Sequence, residues 1–308
     1  MNKIAFISHP DCLMHDMDAY HPESPMRINS IVNHIIEAGL APFLHSMNAP
    51  LAELEQISLA HDEDHIAFIF DNAPKTGFYE VDPDTRMGIH TLNAILRASG
   101  AVVKATDIVM SGEYRHAYCN VRPPGHHAEK NQAMGFCFFN NIAIGALYAL
   151  EYYGLSRVAI VDFDVHHGNG TEDIVAHHDN ILYCSTFQSP LYPDKAGKSQ
   201  QGKLVNCPLE SQAGSAEFRK AVRDDWLPEL EAFQPELIFI SAGFDAHCDE
   251  FIAGLNLVEN DFEWITKKLC QLADKTAQGR IVSALEGGYE LSALGRSASA
   301  HIKALMAY

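Results

Sequence analysis

Basic residues are scarce in this sequence: 22 Lys and Arg face 40 Asp and Glu among 308 residues, a formal net charge of −18. That deficit argues against a nucleic-acid partner, because neutralising phosphates takes Lys and Arg. It favours neutral or cationic partners instead. The seven cysteines contain no CxxC pair, which removes zinc-ribbon and thioredoxin-type readings. They are odd in number and scattered through apolar stretches such as Leu182-Tyr183-Cys184, the usage of reduced, buried thiols in a cytosolic protein. GxSxG and GxGxxG are both missing, so neither a serine-hydrolase elbow nor a dinucleotide loop is supported. There is no internal repeat, low-complexity segment or Pro/Ser-rich linker. The one long uncharged stretch, 133–150, carries Asn140 and Asn141 in its middle, where lipid would penalise them. It reads as a buried segment leading into a core helix, and no membrane partner is expected. Residues 1–10 read as a short strand with no leader-like apolar region. A cytoplasmic location is the resulting expectation.

Apolar residues make up 47% of the chain, enough for a large core, and the 17 histidines nearly equal the basic residues in number. Ile28, Ile31, Val32, Ile35 and Ile36 follow one helical face, and Gly39 marks its stop. A second helix is predicted over about 85–105, with further helices near 142–153, 216–233, 257–273 and 291–306. Between them lie short continuous apolar runs at 157–161, 181–183, 237–240 and 281–285. Such runs suit strands buried on both faces of a parallel sheet. A single α/β domain spanning 1–308 is the economical expectation.

Polar clusters follow directly on three of these runs. The first continues into Asp162-Phe163-Asp164-Val165-His166-His167-Gly168-Asn169-Gly170, the third into Ser241 to His247, and the fourth into Glu286-Gly287-Gly288-Tyr289. Ligands in open parallel sheets bind beyond the carboxyl ends of strands, which predicts one shared crevice. A fourth cluster, Arg122-Pro123-Pro124-Gly125-His126-His127-Ala128-Glu129, follows the run 117–121. Alternate residues of an extended segment share a face, so Asp162, Asp164 and His166 are expected to point together. Asp164, His166 and Asp245 then offer three ligands with an open position, the pattern of a catalytic metal. Zn2+ and Fe2+ both accept this donor set. Taken alone, DxDxH also suits helix-capping carboxylates and a core histidine.

Activated water needs a base, and the leaving amine needs an acid; histidine has the pKa nearest that duty. His126 and His127 are adjacent, so their rings are expected to diverge, with Asp162 and Asn169 as available orienting partners. Tyr289, in a Gly-Gly turn, can aim a phenol at a developing oxyanion. Singly, the histidine pair also suits surface residues in a Gly/Pro loop, and Tyr289 a packed core tyrosine at a turn.

Together the stretches His21-Pro22-Glu23 with Arg27, Arg122 to His127, Gly135 to Asn141, Asp162 to Thr171, Ser241 to His247 and Glu286 to Tyr289 resemble the histone deacetylase superfamily. That superfamily includes acetylpolyamine amidohydrolases and acetoin-utilisation proteins. Asn169 within Asp164 to Thr171 is similar to the class II branch and its bacterial relatives. The resemblance implies an arginase-like three-layer α/β fold around a mainly parallel sheet of about eight strands. It implies one zinc on Asp164, His166 and Asp245, and hydrolysis of an N-acetyl amide by metal-activated water. His127 becomes the general base and acid, His126 with Asp162 its electrostatic partner, and Tyr289 the group polarising the carbonyl. Gly135, Phe136 and Tyr192 would line a narrow substrate tunnel, joined by Ile252. Arg27 would lie near an internal cavity that takes up acetate. A structural K+ is implied at Asp162, Asp164, His166 and Ser185, although Ser185-Thr186-Phe187 lacks the Leu-His common after that serine.

The implied substrate is acetyl-lysine in a protein or peptide, with a small acetylated amine or acetylpolyamine as the alternative. An apolar Ile252 disfavours polyamines where a polyamine-specific relative carries an acid, while Glu250 lies near enough to replace it. A non-catalytic acyl-lysine-binding protein is the reading from another class, and a binuclear-manganese ureohydrolase lacks the bridging carboxylates it would need. A homo-oligomer is compatible with everything above.

Overall fold

The computed structural model describes residues 1–18 and 20–308. Its strands are β1 (Ile4–Ser8), β2 (Leu44–Asn48), β3 (Tyr79–Asp82), β4 (Thr85–Met87), β5 (His116–Cys119), β6 (Val158–Asp162), β7 (Ile181–Gln188), β8 (Leu204–Leu209), β9 (Leu237–Ala242) and β10 (Ile281–Leu285). The α-helices are α1 (Met26–Glu37), α2 (Leu54–Ile57), α3 (Glu63–Asp71), α4 (Thr91–Ser111), α5 (Asn141–Tyr153), α6 (Asn169–Val175), α7 (Ser215–Ala221), α8 (Leu227–Phe233), α9 (Glu259–Thr276) and α10 (Leu291–Leu305). Eight strands form one sheet in the order β2-β1-β5-β10-β9-β6-β7-β8, and every neighbouring pair is parallel. The short hairpin β3–β4 stands apart and is antiparallel.

The continuous apolar runs divide between two cores because successive strand residues face opposite ways. Val158 and Ile160 of β6, with Phe239 of β9 and Val282 of β10, pack into the core that holds α4 and α5. Ala159, Val161, Ile238, Ile240 and Ile281 face the other core, with α1, α9 and α10. The result is the expected three-layer α/β arrangement.

Segment 133–150 is buried and ends in α5. Its asparagines are spent locally: Asn140 caps the helix, its side-chain oxygen accepting from Ala143 N at 3.0 Å. Asn141 donates to Pro123 O at 3.2 Å and accepts from Ser99 Oγ at 2.9 Å.

The second predicted helix is displaced, since residues 85–87 form β4 and α4 runs from Thr91 to Ser111. Gly88, whose Cβ would lie 2.9 Å from Asp16 O, and the capping region around His90 separate the two elements. The helix expected over 216–233 is continuous through α7 and α8, with a π-helical segment, Val222–Trp226, joining them. Six cysteines are buried as expected, but Cys248 is exposed.

A buried ionic knot ties the amino-terminal segment to the sheet. Both oxygens of Glu23 accept from Arg122, each at 2.6 Å, and Oε1 also accepts from Arg27 at 2.9 Å. Arg122 spends its remaining donors on Cys12 O, His15 O and Glu23 O at 2.8, 2.9 and 3.0 Å. Burial opposes ionisation of Glu23, yet Arg122 and Arg27 outweigh it and hold the pKa down at about 2.

Glu23→Ala is therefore expected to cost about 3–5 kcal/mol in urea unfolding at pH 7, since it strands two buried guanidinium groups. The folded pKa lies below the unfolded one. The Glu23 contribution is thus complete above about pH 4.5 and is lost as pH falls toward 2. A stability difference between wild type and variant that failed to narrow on acidification would refute this account.

Candidate active site

Strands β5, β10, β9 and β6 are neighbours, so the loops after their carboxyl ends meet in one place. Three ligand-bearing side chains converge there: donor atoms of Asp164, His166 and Asp245 lie within 4.8 Å of one another. His166 Nδ1 is 3.0 Å from Asp164 Oδ1 and 3.2 Å from Asp245 Oδ2. Backbone amides hold the carboxylates: Gly287 N donates to Asp164 Oδ2 at 2.8 Å and Val165 N to Asp245 Oδ1 at 2.9 Å. Glycine is needed around them, because a Cβ at Gly243 would overlap the Asp164 carboxylate and one at Gly287 would overlap Asp245.

The donor set fits a divalent cation. Among the described residues nothing hydrogen-bonds to the buried Asp245 Oδ2, which stands beside the donor atoms of its two neighbours. Burial opposes a charge on His166, yet Asp164 and Asp245 push its pKa up to about 10. Burial and the Asp164 charge raise Asp245 to about 6. The cluster thus demands positive charge, which one cation supplies.

Asp162 does not share the face of Asp164 and His166. The strand ends at Asp162, and its carboxylate turns to the adjacent histidine, with His126 Nδ1 3.0 Å from Oδ2. It also accepts from Asp164 N at 3.1 Å and Tyr183 OH at 3.2 Å. Nor do the rings of His126 and His127 diverge. Their centroids are 4.0 Å apart, because each Nδ1 is drawn inward by a partner on the Asp162–Asn169 segment.

His127 Nδ1 is 2.8 Å from Asn169 Oδ1. Asn169 Nδ2 donates to Glu129 Oε1 at 2.7 Å, so the asparagine presents its oxygen to the ring. An amide oxygen only accepts, which places the His127 proton on Nδ1 and leaves Nε2 as the acceptor.

The two histidines differ in charge. Burial opposes a proton on His126, but Asp164, Asp162 and Glu286 raise its pKa to about 10. Burial lowers His127 well below the ordinary histidine value, and the charges of His126 and His166 lower it further. A charged ring thus stands beside a neutral one.

Tyr289 is buried, with its ring 6.0 Å from Phe136 and the Arg27 guanidinium 4.9 Å from its centroid. Burial pushes its phenol well above the ordinary tyrosine value, so it stays a donor. Arg27 also donates to Gly288 O at 2.7 Å and to Glu286 O, gripping the turn that carries Tyr289.

A cavity of about 230 Å³ opens onto these groups and is lined by Pro22, Asp84, His127, Gly135, Phe136, His166, Tyr192, Ile252 and Tyr289. All four predicted wall residues, Gly135, Phe136, Tyr192 and Ile252, are among them. Gly135 is required by contact as well as by its φ of 56°: a Cβ there would lie 2.6 Å from the His127 ring.

Sequence reasoning missed several participants. Asp84 belongs to the cavity wall, and the turn-forming Asp82-Pro83-Asp84 was its signal. Glu129 orients Asn169 and lies two residues after His127. Glu286 accepts from Gly125 N and His126 N at 2.7 and 3.1 Å, so it fixes the backbone of the histidine pair. A second histidine–acid group, His247-Cys248-Asp249, is open to solvent at Cys248 and Asp249, and Asp249 is paired with Arg296 at 2.7 Å.

The family model for the histone deacetylase domain matches residues 21–305. A type-2 histone deacetylase 2 of Dictyostelium discoideum is 36% identical over 99% of this chain, which spans 21% of that protein. A probable deacetylase of Archaeoglobus fulgidus is 32% identical over 92% of this chain and 81% of its own length. Among solved structures, the HD domain of HDA15 superimposes with a TM-score of 0.92 at 30% identity, over 99% of this chain and 88% of that one.

Proposed function

This chain belongs to the histone deacetylase domain family, and from that premise we propose that it is a zinc-dependent amidohydrolase removing acetyl groups from acetyl-lysine in proteins or peptides. The observation that carries the proposal is the convergence of Asp164, His166 and Asp245 beside His127 and Tyr289 at one cavity. Zinc held by the three ligands would polarise the amide carbonyl and acidify an adjacent water. His127 Nε2, left free by the Asn169 bond, takes the proton of the attacking water and returns it to the leaving amine. His126, charged and paired with Asp162, stabilises the developing negative charge. The Tyr289 phenol donates to the carbonyl oxygen. Phe136, Tyr192 and Ile252 pack along the alkyl chain and exclude water.

The same reading extends to a structural K+ at Asp162, Asp164, His166 and Ser185. Its support is Ser185 Oγ, buried without a hydrogen-bond partner and in register with Asp162.

An acetyl-lysine substrate is favoured over an acetylpolyamine because the wall residue is Ile252 and Glu250 is turned away onto backbone amides. Among the described residues no helix is long and apolar enough to cross a membrane.

Protein purified without chelator should carry about one zinc per chain and release acetate from acetyl-lysine peptides faster than from acetylputrescine or acetylspermidine. Two metals per chain would remove the mononuclear site. Preference for acetylspermidine would move the substrate to the small amines, and metal-loaded protein that bound peptide without releasing acetate would make it a reader.

A further inference from the structure

Glu250 lies in the loop after Asp245, next to the cavity wall, yet its carboxylate does not line the cavity. It is buried, and its oxygens are committed to backbone amides. Oε2 accepts from Tyr289 N at 2.7 Å and Glu290 N at 3.1 Å, and Oε1 accepts from Phe251 N at 3.0 Å. The loop that carries it is itself anchored. Cys248 N donates to Leu257 O at 2.9 Å, Glu250 N to His247 O at 3.0 Å, and Asp249 pairs with Arg296 of α10.

The turn preceding Tyr289 has little rigidity of its own. It contains Gly287 and Gly288, the latter at φ 115°, a conformation L side chains rarely adopt. Arg27 holds this turn by its carbonyls, at Glu286 O and Gly288 O. Glu250 holds it by its amides, on the side of Tyr289 itself. A cation grips the acceptors and an anion grips the donors, so the turn is clamped from both sides. The anion also sits where α10 begins, at the positive end of the helix.

We propose that Glu250 is a positioning residue that fixes the Tyr289 phenol at the cavity. This inference rests on the deacetylase reading for its catalytic consequence, but not for its structural content. It replaces the role of a substrate-ammonium acceptor for Glu250, because a carboxylate holding three amide protons has no oxygen turned to the cavity.

The test is a double-mutant cycle read together with amide exchange. Glu250→Ala is expected to lower kcat by about 10- to 100-fold through misplacement of the donor, with KM changed less than about threefold. In a Tyr289→Phe background the same substitution should cost about twofold or less, because its effect passes through the hydroxyl. Glu250→Gln keeps the shape and an acceptor oxygen, but sets an amide group against Phe251 N–H. It should lose less activity than the alanine variant, show the same dependence on Tyr289, and serve where Glu250→Ala does not accumulate as folded protein.

Independently of activity, the amides of Tyr289 and Glu290 should exchange at least about tenfold faster in Glu250→Ala at unchanged global stability. Additive losses in the cycle, or unchanged exchange at these amides, would overturn the proposal. If wild-type protein released no acetate from any acetylated substrate, the deacetylase reading would fall, while the exchange measurement would still decide whether Glu250 holds the turn.

Discussion

His127→Ala is expected to lower kcat/KM for an acetyl-lysine peptide by about 10²- to 10⁴-fold, the range for loss of a positioned acid–base group. The expectation comes from proton location. Asn169 Oδ1, fixed by Glu129, holds the Nδ1 proton and leaves Nε2 as the acceptor facing the cavity. Burial and two charged neighbours keep this ring neutral to a lower pH than a free histidine. Activity needs the neutral ring, and the folded pKa is depressed. The acid limb of kcat/KM against pH should therefore lie below 6.5, the ordinary histidine value. His126→Ala should cost less, because that ring is already charged and contributes field rather than proton transfer. Steady-state kinetics of both variants at matched zinc content decide the order. A larger loss in His126→Ala would exchange the two roles.

Tyr289→Phe is the second large effect. The substitution keeps the ring edge on Phe136 and the face under Arg27, and removes only the hydroxyl. Loss of one preorganised oxyanion donor costs about 10²–10³ in kcat, or about 2.7–4 kcal/mol. Substrate affinity should survive, because the donor acts on charge that develops after binding. Zinc content and thermal midpoint should match wild type, which separates chemistry from folding. Turnover within about twofold of wild type would remove the phenol from the mechanism.

Strand–cluster succession made most of the site legible in the sequence. Asp164, His166, Asp245 and Tyr289 each follow a short apolar run, and position after a parallel strand is enough to predict a shared crevice. A parallel α/β sheet was legible for the same reason, since runs buried on both faces suit its strands, while the three-layer form came from the family resemblance. Helix boundaries were less so. Residues 85–87 carry alternation too short to reveal a hairpin, and the need for glycine at 88 comes from Asp16 O, which would crowd a Cβ there. The turn of Asp162 away from Asp164 and His166 was also invisible, since a strand's end depends on where its neighbours stop pairing.

Residue type and spacing by themselves determined which groups can do chemistry here, because donor atoms, apolar period and glycine content are properties of the chain. Which group serves which was decided only by tertiary structure. Asn169 could have faced either histidine until Glu129 fixed its amide, and Glu250 could have met an ammonium until the Tyr289 turn supplied two amide protons. Such choices depend on contacts between segments 39 to 42 residues apart. There the cost of leaving a buried charge or amide unpaired selects one arrangement from several that the sequence permits.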